Sequence, residues 1–193
     1  ILLLIVFLYT FSVVNVAIKS NDKFLKVDQP SLFLINQLKE DLAKTHTYMQ
    51  QWVIEESRPD EQWKIEAETL LDQTLKSDLD SLEKLSSKWI SIEDSIDNGL
   101  TEFKNISTNI SFLIESYNIE VRNIFVDIDS YQNEALKFNA DFMFEEISSS
   151  YEVLLEEIKQ LSKIRTHIAD AQQIKTNNRF SNLINSNIFI SII

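Results

Sequence analysis

Turn-forming residues are almost missing from this chain: its 193 residues include one Gly and two Pro. Ordinary usage would supply roughly 13 Gly and 10 Pro in that length. Sheets and α/β folds use these residues at many tight turns, where a positive or a fixed φ is needed. A chain this poor in both reverses direction only a few times, so it is expected to be all-α and built from a few long helices. Its 30 acidic and 18 basic residues give a formal charge of -12, which argues against nucleic acid as a partner. The absence of Cys removes disulfide scaffolds and thiolate metal sites.

The two ends differ from the acidic middle. Residues 1–18, ILLLIVFLYTFSVVNVAI, carry no charged side chain. At ~1.5 Å per residue they make about 27 Å of helix, close to one bilayer core. A cleaved signal peptide is the competing reading. No convincing small-x-small site precedes Lys19, however, and the run exceeds a typical signal core. Residues 1–18 are therefore expected to be a retained transmembrane helix, N-terminally truncated because the chain starts without Met.

Residues Ile188-Phe-Ile-Ser-Ile-Ile193 are apolar again and read as the start of a second transmembrane helix, the alternative being a frayed apolar end. Two anchors put residues 19–187 on one side of the membrane. The acidic segment fits the periplasmic or extracellular side under the positive-inside rule. Lys19, Lys23 and Lys26 oppose this only mildly, because long segments translocate largely regardless of charge.

Between the anchors the apolar residues recur at helical spacing. Ile35, Leu38, Leu42, Thr45, Met49 and Trp52 step by three and four, a heptad seam that Leu32 and Phe24 extend toward the membrane. Pro30 either starts a new helix behind the capping residue Asp28 or kinks a continuous one, and Pro59 ends the helix near Ser57. A second helix, about Asp60 to Ile90, shows Trp63, Ala67, Leu70, Leu71, Leu75, Leu79, Leu82, Leu85 and Trp89. A break at Ser91 to Asp94 separates it from a third, with Ile96, Leu100, Phe103, Ile106, Ile110, Leu113, Tyr117, Ile124, Ile128 and Tyr131. Cap-type residues place the next turn between 127 and 139. The fourth helix carries Phe142, Met143, Ile147, Tyr151, Leu154, Leu155, Ile158, Leu161, Ile164 and Ile168, then continues toward the membrane. The expected architecture is an up-down-up-down antiparallel four-helix bundle on two transmembrane legs.

No constellation for catalysis emerges. His46 and His167 are the only histidines, and neither has Glu three residues before it, as a bundle di-metal site requires. There is no Gly-rich phosphate loop and no calcium loop. The Glu55-Glu56, Glu145-Glu146 and Glu156-Glu157 pairs read as solvated helix faces. The chain is expected not to be an enzyme and to need no cofactor or metal.

Three local stretches carry a resemblance. Tyr48-Met-Gln-Gln-Trp52-Val-Ile54 is followed by an acidic hairpin and Trp63; Leu82-Glu-Lys-Leu85-Ser-Ser-Lys-Trp89 closes the second helix; Asn139-Ala-Asp-Phe-Met-Phe-Glu-Glu-Ile147 opens the fourth. With the two-legged layout, these resemble the extracellular four-helix-bundle ligand-binding domains of bacterial transmembrane receptors, the methyl-accepting chemotaxis proteins and related sensor kinases. The chain departs from that pattern at Ser57-Arg58-Pro59-Asp60 and Ser148-Ser-Ser150.

The resemblance implies a membrane-anchored homodimer in the cell membrane. It would bind a small molecule or a ligand-loaded binding protein and signal by helix displacement. Ligands of such domains sit between helices in the membrane-distal half, where Thr45, His46, Gln50 and Arg122 interrupt the apolar stripes and become the candidate ligand-binding residues. The family's ligand-contacting arginines have no counterpart, since the first helix holds none before Arg58. The competing class is a membrane-tethered helical bundle, a spacer or adaptor with no ligand.

Overall fold

The computed structural model describes residues 2–55, 62–92, 98–128 and 134–192, all of them helical and none in a strand. They form four rods. The first joins α1 (Leu2–Lys23), a π turn at Phe24–Asp28 and α2 (Gln29–Glu55). The second joins α3 (Gln62–Thr69), a π turn at Leu70–Thr74 and α4 (Leu75–Ile92). The third is α5 (Asn98–Ile128), and the fourth is α6 (Glu134–Ile192), 59 residues without a break.

Pro30 neither starts a helix nor breaks one. A proline inside a helix has no N–H for the carbonyl four residues back, and its ring crowds that carbonyl. The backbone answers with a wider turn just before it, in which the Gln29 N–H reaches back to the Phe24 carbonyl. The Ser31 hydroxyl then donates to the Val27 carbonyl. Asp28 is consequently no cap: the backbone is helical on both sides of it, and its side chain is buried.

The second π turn has a different origin. Ala67, Leu71, Leu75 and Leu79 are spaced four apart, and each such step drifts about 40° around a regular helix. One extra residue in the turn, closed by the Leu75 N–H on the Leu70 carbonyl, cancels much of this drift. All four side chains stay buried.

One continuous core runs through the rods, from Val27, Ile35 and Leu38 through Leu71, Leu75, Phe103 and Ile110 to Leu154, Ile158 and Leu161. In it α2 packs against α3, α4 and α6, α4 against α5, and α5 along α6, while α1 packs along α6. The expected seam of the first rod is buried at Ile35, Leu38, Leu42, Thr45 and Met49. Phe24 and Phe142, expected on inward stripes, are exposed instead. α4 continues through Ile92, past the start of the break expected at Ser91. The Pro59 hairpin, residues 93–97 and residues 129–133 of the expected 127–139 turn lie outside the described residues, as do the side chains of Trp52 and Trp89; residues 127–128 and 134–139 are helical.

Among the described residues one helix, near the N-terminus, is long and apolar enough to cross a membrane by length and composition. Its Leu4, Ile5, Phe7, Leu8, Phe11 and Ile18 side chains are exposed, a contiguous apolar surface larger than a water-facing monomer normally carries.

Candidate functional site

The four residues expected to bind a ligand do not share one environment. Thr45 is fully buried, and its hydroxyl is spent on the Asp41 carbonyl one turn back, at 2.8 Å. Gln50 is exposed on the same helix. Arg122 lies exposed on α5, donates from Nη2 alone to both oxygens of the Asp72 carboxylate in the second π turn, and donates from Nε to Asn118 Oδ1 at 3.2 Å. That guanidinium holds the Asp72 carboxyl below its usual range, with desolvation opposing and Asn118 assisting. The pair is open to water, so its net contribution to stability is under about 1 kcal/mol.

His46 is the member that draws several elements together. One residue after Thr45, it leaves the α2 seam and enters a slot between α5 and α6. Its ring stacks on Tyr151 at 4.1 Å and 7°, and on Phe144 at 5.3 Å and 19°. The Phe144-to-Tyr151 spacing of two turns puts both rings on one face of α6, with His46 over them. From α5, the Tyr117 hydroxyl lies 3.3 Å from His46 Nδ1 and 4.0 Å from Met49 Sδ. A phenol has a single proton, so when it points to the sulfur the imidazole Nδ1 must be the donor to its oxygen.

The cluster is built to stay neutral. Burial lowers the His46 pKa from its ordinary 6.5, against a smaller opposing pull from the Glu152 carboxylate. Burial also raises the Tyr117 phenol, helped by Tyr151 and Glu120, and raises Tyr151. The hydroxyl beside this neutral imidazole is the Tyr117 phenol, whose proton burial holds in place, so the stack can take up a proton or reorganise its rings. Among the described residues no group of three or more His, Asp or Glu side chains could hold a metal ion.

The sequence reading missed the most deeply buried polar contact. Arg165 on α6 is 0% exposed and Asp28, closing the first π turn, 2%. Arg165 Nη2 donates to Asp28 Oδ1, and the guanidinium lies 6.0 Å from the centre of the Phe103 ring. A signal was present: Leu154, Ile158, Leu161, Arg165 and Ile168 step by four, three, four and three, so the arginine occupies a seam position. Asp41 and Asp78 were also missed. Asp78 Oδ1 accepts from Gln37 at 3.4 Å while Oδ2 has no hydrogen-bond partner among the described residues. Burial, and then the charge of Asp41, raises the Asp78 carboxyl pKa.

No protein-family model, curated protein or solved structure matches this chain.

Proposed function

We propose that this chain is the extracytoplasmic sensory domain of a bacterial transmembrane receptor. In this reading its rods form an antiparallel up-down-up-down bundle, paired in a homodimer and anchored in the cell membrane. A small molecule, or a binding protein carrying one, shifts the fourth rod against the first, and the shift is read as chemotaxis or a related signal. The observation that carries the proposal is the continuity of α6. Its 59 residues contain neither Gly nor Pro. It holds the His46 cluster through Phe144 and Tyr151, and about 38 Å further along it touches α1 where the Ser20 and Thr176 hydroxyls meet at 3.0 Å. A stiff helix passes on a displacement of about 1–2 Å, the size of shift that packed helices support.

The close stacking around His46 favours one second reading, a membrane-tethered spacer or adaptor without a small-molecule ligand. Two experiments on the full-length gene product separate these readings. The chain has no native cysteine, so Ser149→Cys, on an exposed position of α6, gives a single label site within this segment. Labelling by a membrane-impermeant maleimide in intact cells is expected; labelling only after lysis overturns the extracytoplasmic placement. A Ser20→Cys/Thr176→Cys disulfide then ties α1 to α6. Oxidation is expected to fix the protein's signalling output at one level, whereas an output indifferent to oxidation leaves the tether reading.

A further inference from the structure

Where α1 and the first π turn run beside α6, the two rods flank a half-open, elongated cavity of about 580 Å³, within the range of small-molecule sites. It is bounded from Val14 to Asp28 on one rod and from Ala169 to Phe180 on the other, about 20 Å of helix. The Ser20–Thr176 hydroxyl bond ties its walls together midway.

The lining is mixed, with Phe24 and Ala169 adding apolar surface at its Asp28 end. Toward the apolar N-terminal segment it presents Val14, Ala17, Ile18 and Phe180. Farther along, Asn21, Gln173 and Asn177 border it, and none of their amides hydrogen-bonds to another described residue. The one charged lining residue, Asp28, is committed to the buried Arg165 guanidinium. No cation lines the cavity, so an anionic head would be desolvated there without a counter-charge.

We infer that this cavity is a binding site for an elongated lipophile with an uncharged hydrogen-bonding head, such as a long-chain alcohol, amide or monoacylglycerol. The tail lies along Val14, Ile18 and Phe180, and the head meets the amides of Asn21 and Gln173. Helical side chains three, four and seven apart share a face, so Val14, Ile18 and Asn21 form one continuous strip for such a molecule. The site lies well away from the His46 cluster and is independent of the sensory reading. It borders the exposed apolar stretch of α1, which gives a lipophile two routes in, from a bilayer or from water.

The probe is a long-chain primary alcohol carrying a diazirine beside its hydroxyl, offered to the whole chain in phosphatidylcholine nanodiscs. Cross-linked peptides are mapped by mass spectrometry. Expected is saturable capture confined to residues 14–28 and 169–180, displaced by unlabelled alcohol and about tenfold less well by the matching fatty carboxylate. Ala17→Trp, which fills the cavity, is expected to cut capture by about tenfold with helicity unchanged. Should that variant lose helicity, the exposed pair Asn21→Leu and Gln173→Leu tests the head contacts instead, and is expected to remove the preference for the alcohol over a head-less alkane probe. Capture from preloaded nanodiscs only, or also from water by detergent-solubilised chain, names the route; either supports the site. Non-saturating label spread over Phe7 and Phe11, capture unchanged in Ala17→Trp, or an unlabelled Ala17→Cys chain that oxidises to a dimer would each overturn the proposal. The last result would assign the groove to a second copy.

Discussion

At His46 the cost of a single proton can be read directly. The folded state holds the imidazole pKa below its ordinary 6.5, chiefly because the ring is desolvated between Tyr151, Phe144 and Tyr117. As pH falls through 6.5 toward the folded value, the unfolded chain binds the proton and the folded chain resists it, so stability is lost on acidification. The ring is partly open to solvent and Glu152 opposes the shift, which keeps the loss below about 1 kcal/mol. Denaturant unfolding between neutral and mildly acid pH is expected to show this decline, and His46→Gln to flatten it; an identical slope in the variant would refute the assignment.

Larger effects belong to Arg165 and Asp28, both buried. Removing either one takes a buried counter-charge from the other, so Arg165→Met or Asp28→Leu alone is expected to cost ~3–5 kcal/mol, while the double substitution recovers much of it, measured as a double-mutant cycle of unfolding free energies. Asp78 works in the opposite direction. Its raised pKa means that stability falls as pH rises through the folded value, so Asp78→Asn is expected to stabilise by under about 1 kcal/mol, or roughly 2–4 °C in Tm. The sequence made His46 visible because it is one of two histidines. Its stacking partners come from residues about a hundred positions away, which periodicity does not pair. The Asp28–Arg165 pair escaped for the same reason: Asp28 looks locally like a cap, and a seam position for Arg165 does not name its partner 137 residues away.

The long elements were legible because three- and four-residue apolar spacing over 27 to 59 residues admits little besides helix. The π turns were not, since spacing shows drift but not where the backbone absorbs it. This gives a test at the level of the element. A π turn holds one residue more than a regular helix needs. Deleting the exposed Gln73 converts Ala67, Leu71, Leu75 and Leu79 to steps of four, three and four, so the inward stripe survives on a regular helix. The deletion is expected to leave helicity intact and to shift Tm by no more than a few degrees, roughly 1 kcal/mol. Deleting the exposed Asn109 from the regular α5 is expected to behave differently. It turns everything from Ile110 to Phe125 by about 100° against Phe103, driving buried side chains into water. Equal damage from both deletions would mean that the turn at Leu70–Thr74 does not hold a spare residue.

For the whole molecule, the decisive feature is that the core and the exposed apolar surface occupy different stretches of the first rod. The core begins at Val27, whereas Leu4, Ile5, Phe7, Leu8, Phe11 and Ile18 project outward. Along the antiparallel register set by Ser20 and Thr176, Val13 and Leu183 stand seven residues farther out on their helices, and both are buried. The two rods therefore remain paired beyond the core, yet α6 opposite the apolar stretch still carries Asn177, Asn178, Arg179 and Asn182. Hydrocarbon does not solvate such a row cheaply, so in a membrane-anchored chain these four side chains belong at or outside the bilayer surface. Removing residues 1–18 takes away the densest run of exposed large apolar side chains among the described residues and, of the buried ones, Val13 alone. The shortened chain is expected to be soluble without detergent and to keep a cooperative melt within a few degrees of the full chain. The full chain is expected to sediment with lipid vesicles and to need detergent for extraction. A truncated chain that still aggregates, or a full chain that stays in solution without lipid, would show that the outward-facing residues of α1 serve protein packing and not a membrane.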